Sequence, residues 1–135
     1  METTENTKIP ATQKKVLLIE DDIFISDIYQ MKMRTEGLEV IAAMNGAEAI
    51  KSLEEGLIPD LILLDIIMPY MNGMEVLKRL KTEEAWKNIP VMLLTNLSDK
   101  SQVDDCMNLG ANDYLVKSHF TPSEVMKKVY ALLNV

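Results

Sequence analysis

Short, unbroken apolar runs alternate along the chain with stretches in which apolar residues recur every three or four positions. The runs Val16–Ile19, Glu39–Ala43, Leu61–Leu64, Val91–Leu94 and Tyr114–Val116 have the length and branched side chains of strands. Those at 16–19 and 61–64 are apolar throughout, the pattern of strands covered on both faces. Between the runs, helical spacing links Ile25, Ile28, Tyr29 and Met33, then Ala47, Ile50 and Leu53, then Val76, Leu77 and Leu80, and finally Val125, Val129 and Leu132. Gly37, Gly56 and Gly110 stand where helices should stop, and Thr121-Pro122-Ser123-Glu124 is a helix start with cap, proline and capping acid in order. Strands alternating with helices predict an α/β fold with a parallel sheet wrapped on both faces.

In such a sheet, ligands bind beyond the carboxyl ends of the strands. The polar residues that follow the apolar runs are Glu20, Asp21, Asp22, Asp65, Thr95 and Lys117, so the pattern predicts one composite site. Clustered carboxylates repel one another and raise each other's pKa unless a cation sits among them. Hard oxygen ligands open to water suit Mg²⁺, or Mn²⁺ in its place.

Composition narrows the class further. The 135 residues fit one domain, and the net charge of −7 argues against a nucleic-acid surface or binding to an anionic membrane. Cys106 is the single cysteine and can form no internal disulfide, which suits a reducing, cytoplasmic setting. No run approaches a membrane span, and the polar start is no signal peptide. Residues 1–14 read as a flexible tail and residues 15–135 as one domain, with no output domain expected after Val135.

Four motifs in order carry a resemblance: Ile19-Glu20-Asp21-Asp22, Leu64-Asp65-Ile66-Ile67-Met68-Pro69-Tyr70-Met71-Asn72-Gly73, Leu94-Thr95, and Gly110-Ala111-Asn112-Asp113-Tyr114-Leu115-Val116-Lys117. Together they resemble the receiver domain of response regulators, the phosphorylatable module of two-component signalling, here as a stand-alone domain. The resemblance implies a doubly wound, flavodoxin-like, five-stranded parallel sheet in the order 2-1-3-4-5, an order for which the family is itself a standard example. It implies that Asp65 accepts a phosphoryl group from a phosphohistidine on a sensor histidine kinase or phosphotransfer protein. Asp21, Asp65 and the backbone carbonyl of Ile67 would ligate Mg²⁺, with Glu20 holding a metal-bound water. Lys117 would contact the phosphoryl group, Thr95 would bond one of its oxygens, and Tyr114 would rotate inward as the switch aromatic. A downstream protein would read the face formed by the fourth helix, fifth strand and fifth helix, with a phosphorylation-dependent dimer as a further possibility. Such a protein catalyses only its own phosphorylation and dephosphorylation, so it is not expected to be an enzyme with a separate substrate.

Asp22 reads as the cap of the first helix, and Pro69 and Gly73 read as structural residues of the loop after Asp65. Three places depart from the family pattern. Asn96 follows Thr95 where a very small residue is usual and can narrow access to Asp65. Ser118 follows Lys117 where proline is common; were that bond cis, it would cost about 3 kcal/mol. Ile67 and Leu97 flank the path of attacking water and can neither orient nor activate it, which predicts slow loss of the phosphoryl group. Two other classes compete: a phosphohydrolase with an aspartate nucleophile, for which no acid-base partner is evident near Asp65, and a receiver-like scaffold that works without phosphorylation. Cys106, His119, Trp86 and the methionines read as packing or surface residues.

Overall fold

The computed structural model describes residues 14–134; the expected tail therefore lies, apart from Lys14, outside the described residues. The strands are β1 (Lys15–Ile19), β2 (Glu39–Ala43), β3 (Leu61–Asp65), β4 (Val91–Thr95) and β5 (Asp113–Val116). The helices are α1 (Ile23–Thr35), α2 (Gly46–Glu54), α3 (Gly73–Thr82), α4 (Lys100–Asn108) and α5 (Pro122–Leu133), with single 3-10 turns at Leu97–Asp99 and Lys117–His119. All strand pairs are parallel, and the sheet order is β2-β1-β3-β4-β5.

Alternation along the strands sorts the core into two layers. Leu17, Ile19, Ile62, Leu64, Val91 and Leu93 point to the side covered by α2, α3 and α4. Val16, Leu18, Leu61, Leu63, Met92 and Leu94 point to the side covered by α1 and α5. This two-sided burial explains why the runs Val16–Ile19 and Leu61–Leu64 are apolar throughout, up to the acid that follows each.

The helix boundaries follow from local chemistry. Asp22 accepts hydrogen bonds from the backbone N–H groups of Phe24 and Ile25 and so caps α1. Asn72 with Glu75, and Thr121 with Glu124, form reciprocal capping boxes at α3 and α5. Gly37 and Gly110, with φ of 95° and 113°, end α1 and α4 in the left-handed region. Gly73 serves a different need, because a Cβ there would lie 2.5 Å from the Asp65 carbonyl oxygen and 2.6 Å from the Ile66 Cα. Its own N–H donates to the Ile66 carbonyl at 2.8 Å, which folds the start of α3 back onto the end of β3.

Two expectations change. Spacing groups Ala47 with Ile50 and Leu53, but Ala47 is exposed and the buried face of α2 is Gly46, Ala49, Ile50 and Leu53. Spacing alone groups Ile28 with Tyr29 and Met33, but the buried face of α1 is Ser26, Tyr29 and Met33. Ile28 is exposed, as are Ile23, Phe24 and Met31. Apolar residues occur all around this helix, so its inward face is set by packing on β2 and α5 rather than by the pattern. At its far end α1 is tied to α5, where the Tyr130 hydroxyl donates to the Glu36 carboxylate at 2.5 Å.

Candidate functional site

The parallel register brings the strand ends level. Ile19 pairs with Leu64, so Glu20 and Asp65 emerge side by side where the strand order reverses. On the other flank Asp65 pairs with Leu94, and Thr95 pairs with Val116, which sets Lys117 just beyond β5. Lys117 reaches back across β4. Its Nζ lies 3.1 Å from Asp65 Oδ2 and 2.7 Å from Glu20 Oε1.

Glu20, Asp21 and Asp65 each offer an oxygen within 4.8 Å of the others. Glu20 is wholly buried and Asp65 is 3% exposed, while Asp21 is partly open to solvent. The Lys117–Glu20 contact is an ion pair without hydrogen-bond alignment, so Glu20 Oε1 is buried with no hydrogen-bond partner. With all three carboxylates ionised, one ammonium leaves the cluster two negative charges in excess. That deficit and the orphaned oxygen fit a divalent cation held by hard oxygen ligands.

Electrostatics agree with this geometry. Burial pushes the Asp65 carboxyl up to about 8, and the neighbouring Glu20 carboxylate adds to the shift, with Lys117 opposing. For Lys117, burial disfavours the ammonium, but contact with Glu20 and the charges of Asp65 and Glu20 outweigh it and raise its pKa. Asp65 Oδ1 also accepts the Ile67 N–H at 3.2 Å, which folds the loop after β3 against the carboxylate. The Ile67 side chain is half exposed beside it.

The residues expected to transmit a signal are placed one step away. Thr95 is 1% exposed, and its hydroxyl donates to the Asn96 carbonyl at 3.1 Å. The Tyr114 ring is 44% exposed at the sheet edge. Between them lies a cavity of about 180 Å³ lined by Thr95, Asn96, Lys100, Val103, Tyr114 and Val116. Asn96 is exposed on the loop above the site, and the side chain of Leu97 lies outside the described residues. No peptide bond is cis among the described residues, so Lys117–Ser118 is trans. Cys106 is fully buried, His119 is exposed, and Trp86 packs under the Arg79 guanidinium at 5.4 Å.

Residues 16–130 match the sequence profile of the response regulator receiver domain. The chain belongs to that family. This receiver is 36% identical over 121 residues to the alkaline phosphatase synthesis transcriptional regulatory protein PhoP of Bacillus subtilis, an alignment covering 90% of this chain and 49% of that protein. It is also 36% identical over 120 residues to the DNA-binding dual master transcriptional regulator RpaA of Synechocystis sp., covering 89% of this chain and 49% of the relative. The chain thus spans about half the length of the curated relatives it matches. Among solved structures, the chemotaxis protein CheY4 of Vibrio cholerae superposes with a TM-score of 0.81 at 28% identity, over 88% of this chain and 98% of that one. The receiver domain of Francisella response regulator 1452 gives 0.79 at 30% identity, over 90% and 97%. The receiver assignment makes this a response-regulator module of two-component signalling, and its doubly wound sheet is the fold these neighbours share.

Two contributors to the site carry no motif. Tyr29 reaches it from α1 and lines a recess with Ile25, Lys117 and Phe120; spacing marks it only as a core residue. Asp99 is a buried carboxylate in the loop after Thr95, and only its place one residue before α4 hints at a capping role.

Proposed function

We propose that this receiver is a phosphorylation-dependent switch that accepts a phosphoryl group on Asp65 from a phosphohistidine. The observation that carries the reading is Lys117 Nζ at 3.1 Å from Asp65, with Glu20 and Asp21 completing an acidic cluster beside it. An Asp65 carboxylate oxygen attacks phosphorus, the P–N bond to imidazole breaks, and the leaving imidazole nitrogen keeps the electron pair and takes up a proton. Lys117 balances charge on the phosphoryl oxygens. Glu20, Asp21, Asp65 and the Ile67 carbonyl would hold Mg²⁺, which when bound neutralises the phosphoryl oxygens and the carboxylates together. The Thr95 hydroxyl donates to a phosphoryl oxygen, and Tyr114 turns into the cavity beside it.

The surface next to the site supports docking of such a donor. Ile23, Phe24, Ile28 and Met31 are 57%, 81%, 53% and 71% exposed on α1, which starts right after the acidic cluster. A sensor histidine kinase or phosphotransfer protein that presents its phosphohistidine to Asp65 would cover this apolar stripe. The changed surface of α4, β5 and α5 is then read by a further protein. DNA binding is a property of the Synechocystis regulator RpaA; a charge of −7 favours a protein partner for this domain. Ile67 and Leu97 cannot activate water, so the acyl phosphate should persist, and the protein acts on no separate substrate. Among the described residues no helix is long and apolar enough to cross a membrane, and we place the protein in the cytoplasm, where its donors act.

Mass spectrometry after treatment with acetyl phosphate and Mg²⁺ tests the reading. Wild type should gain one phosphoryl group and Asp65→Asn none. No gain by wild type, from acetyl phosphate or from beryllofluoride binding, would leave a scaffold that works without phosphorylation.

A further inference from the structure

A hydroxyl carries one proton and can donate one strong hydrogen bond at a time. Thr95 spends that proton on the Asn96 carbonyl at 3.1 Å. Donation to a phosphoryl group on Asp65 is therefore exclusive with the bond seen here, and whatever steadies Asn96 sets the cost of switching. Asn96 is held from both sides by one residue. Its N–H donates to Asp99 Oδ2 at 3.0 Å, and its carbonyl accepts from the Asp99 N–H at 3.1 Å.

Asp99 is itself unusual. It is a carboxylate only 7% exposed, in a loop next to the site. Lys100, its neighbour in sequence, extends away to Asp104, at 4.0 Å. Asp99 is compensated by the Asn96 N–H, by the Ser98 hydroxyl at 3.5 Å and by its place just before α4, where a helix N-terminus favours negative charge. Burying a charge for the sake of one loop is costly, so the loop conformation it enforces is the feature to explain.

We propose that Asp99 is a positioning residue that clamps Asn96, keeps the Thr95 hydroxyl turned away from Asp65, and couples that choice to the start of α4. The inference rests on the reading of Asp65 as phosphoacceptor. When Thr95 redirects its proton, the Asn96 carbonyl loses a donor, the clamp loosens, and the first turn of α4 is released. Asp99 thus biases the population of the unphosphorylated state and takes no part in the chemistry.

The test is the affinity of the full chain for beryllofluoride in Mg²⁺ buffer. Asp99→Ala should bind about three- to tenfold tighter than wild type, because the competent arrangement is more populated before binding. In a Thr95→Val background the same change should alter affinity less than about twofold, since no hydroxyl is left to restrain. Asp99→Asn, which keeps an oxygen for the Asn96 N–H, should return affinity to near wild type. Unchanged or weaker binding by Asp99→Ala, or an equal gain with and without the Thr95 hydroxyl, overturns the clamp. Wild-type protein that fails to bind beryllofluoride overturns both the clamp and the phosphoacceptor reading. Should Asp99→Ala not fold, amide exchange of Asn96 in wild type decides. Its N–H should exchange several-fold faster once beryllofluoride is bound, and unchanged or slower exchange counts against the clamp.

Discussion

β3 and β5 lie one strand apart in the same sheet and differ in every respect that matters for signalling. β3 is buried at all five residues and hydrogen-bonded on both sides, so Asp65 at its end is held by neighbours on either flank. β5 is an edge strand with one neighbour, one fully buried residue in four, and an aromatic ring half out in solvent. Phosphoryl transfer requires reacting atoms fixed to a fraction of an ångström. A switch requires the opposite, two packings of similar free energy. The sheet supplies a rigid centre and a loosely committed edge, with Thr95 on β4 between them.

Removing the link between the two strands should give the largest effect. Lys117→Met takes away the ammonium that joins the end of β5 to Asp65, and phosphoryl uptake from acetyl phosphate should fall about 100-fold or more, followed by mass spectrometry over time. Uptake within tenfold of wild type would mean that charge is balanced elsewhere.

Next in size is the centre of the sheet. Leu63→Ala in β3 should cost about 2–5 kcal/mol in urea unfolding, as expected for a leucine with no exposed surface. A loss below about 1 kcal/mol would show that β3 is less rigid than its burial implies.

The Asp65 carboxyl gives a pH signature of the same strand. Its pKa is raised to about 8 in the folded, metal-free protein, whereas the unfolded chain releases that proton near the ordinary carboxylate value of about 4. The folded state then holds one more proton than the unfolded state between those values, so stability is greatest at low pH and is lost as pH rises toward 8. In a chelating buffer the loss between pH 5 and 8 should be about 2–4 kcal/mol, and Asp65→Asn should flatten it. A wild-type curve that rises over this window would reverse the assignment.

The smallest effect belongs to the edge. Tyr114→Ala should change stability by less than about 1 kcal/mol, since the ring is largely outside the core. It should still blunt the spectral changes that beryllofluoride produces around the 180 Å³ cavity. A large loss of stability would make Tyr114 a packing residue and remove the contrast between the strands.

Much of this was legible in the sequence because each signal is local. The apolar runs of β1 and β3 report two-sided burial directly, and an acid placed straight after each run has to emerge at one edge if the strands are parallel. The caps Asp22 and Thr121 sit where short polar side chains can reach backbone donors. The inward face of α1 was not legible, because Ile23, Phe24, Ile25, Ile28, Tyr29, Met31 and Met33 leave no clear polar side. Tyr29 approaches Lys117 through tertiary packing between α1 and the β5 end, which no spacing encodes. The direction of the Thr95 proton and the Asp99 clamp depend on one loop's backbone path, and a motif match at Thr95 is silent about it.

The start of α3 sets a limit on how this protein can be reinforced. Replacing a helical glycine with alanine ordinarily strengthens a helix, yet at Gly73 the added methyl group would press on the peptide that carries Asp65. A Gly73→Ala chain would trade a steadier helix for a displaced carboxylate, so the missing side chain keeps the reactive strand end in place.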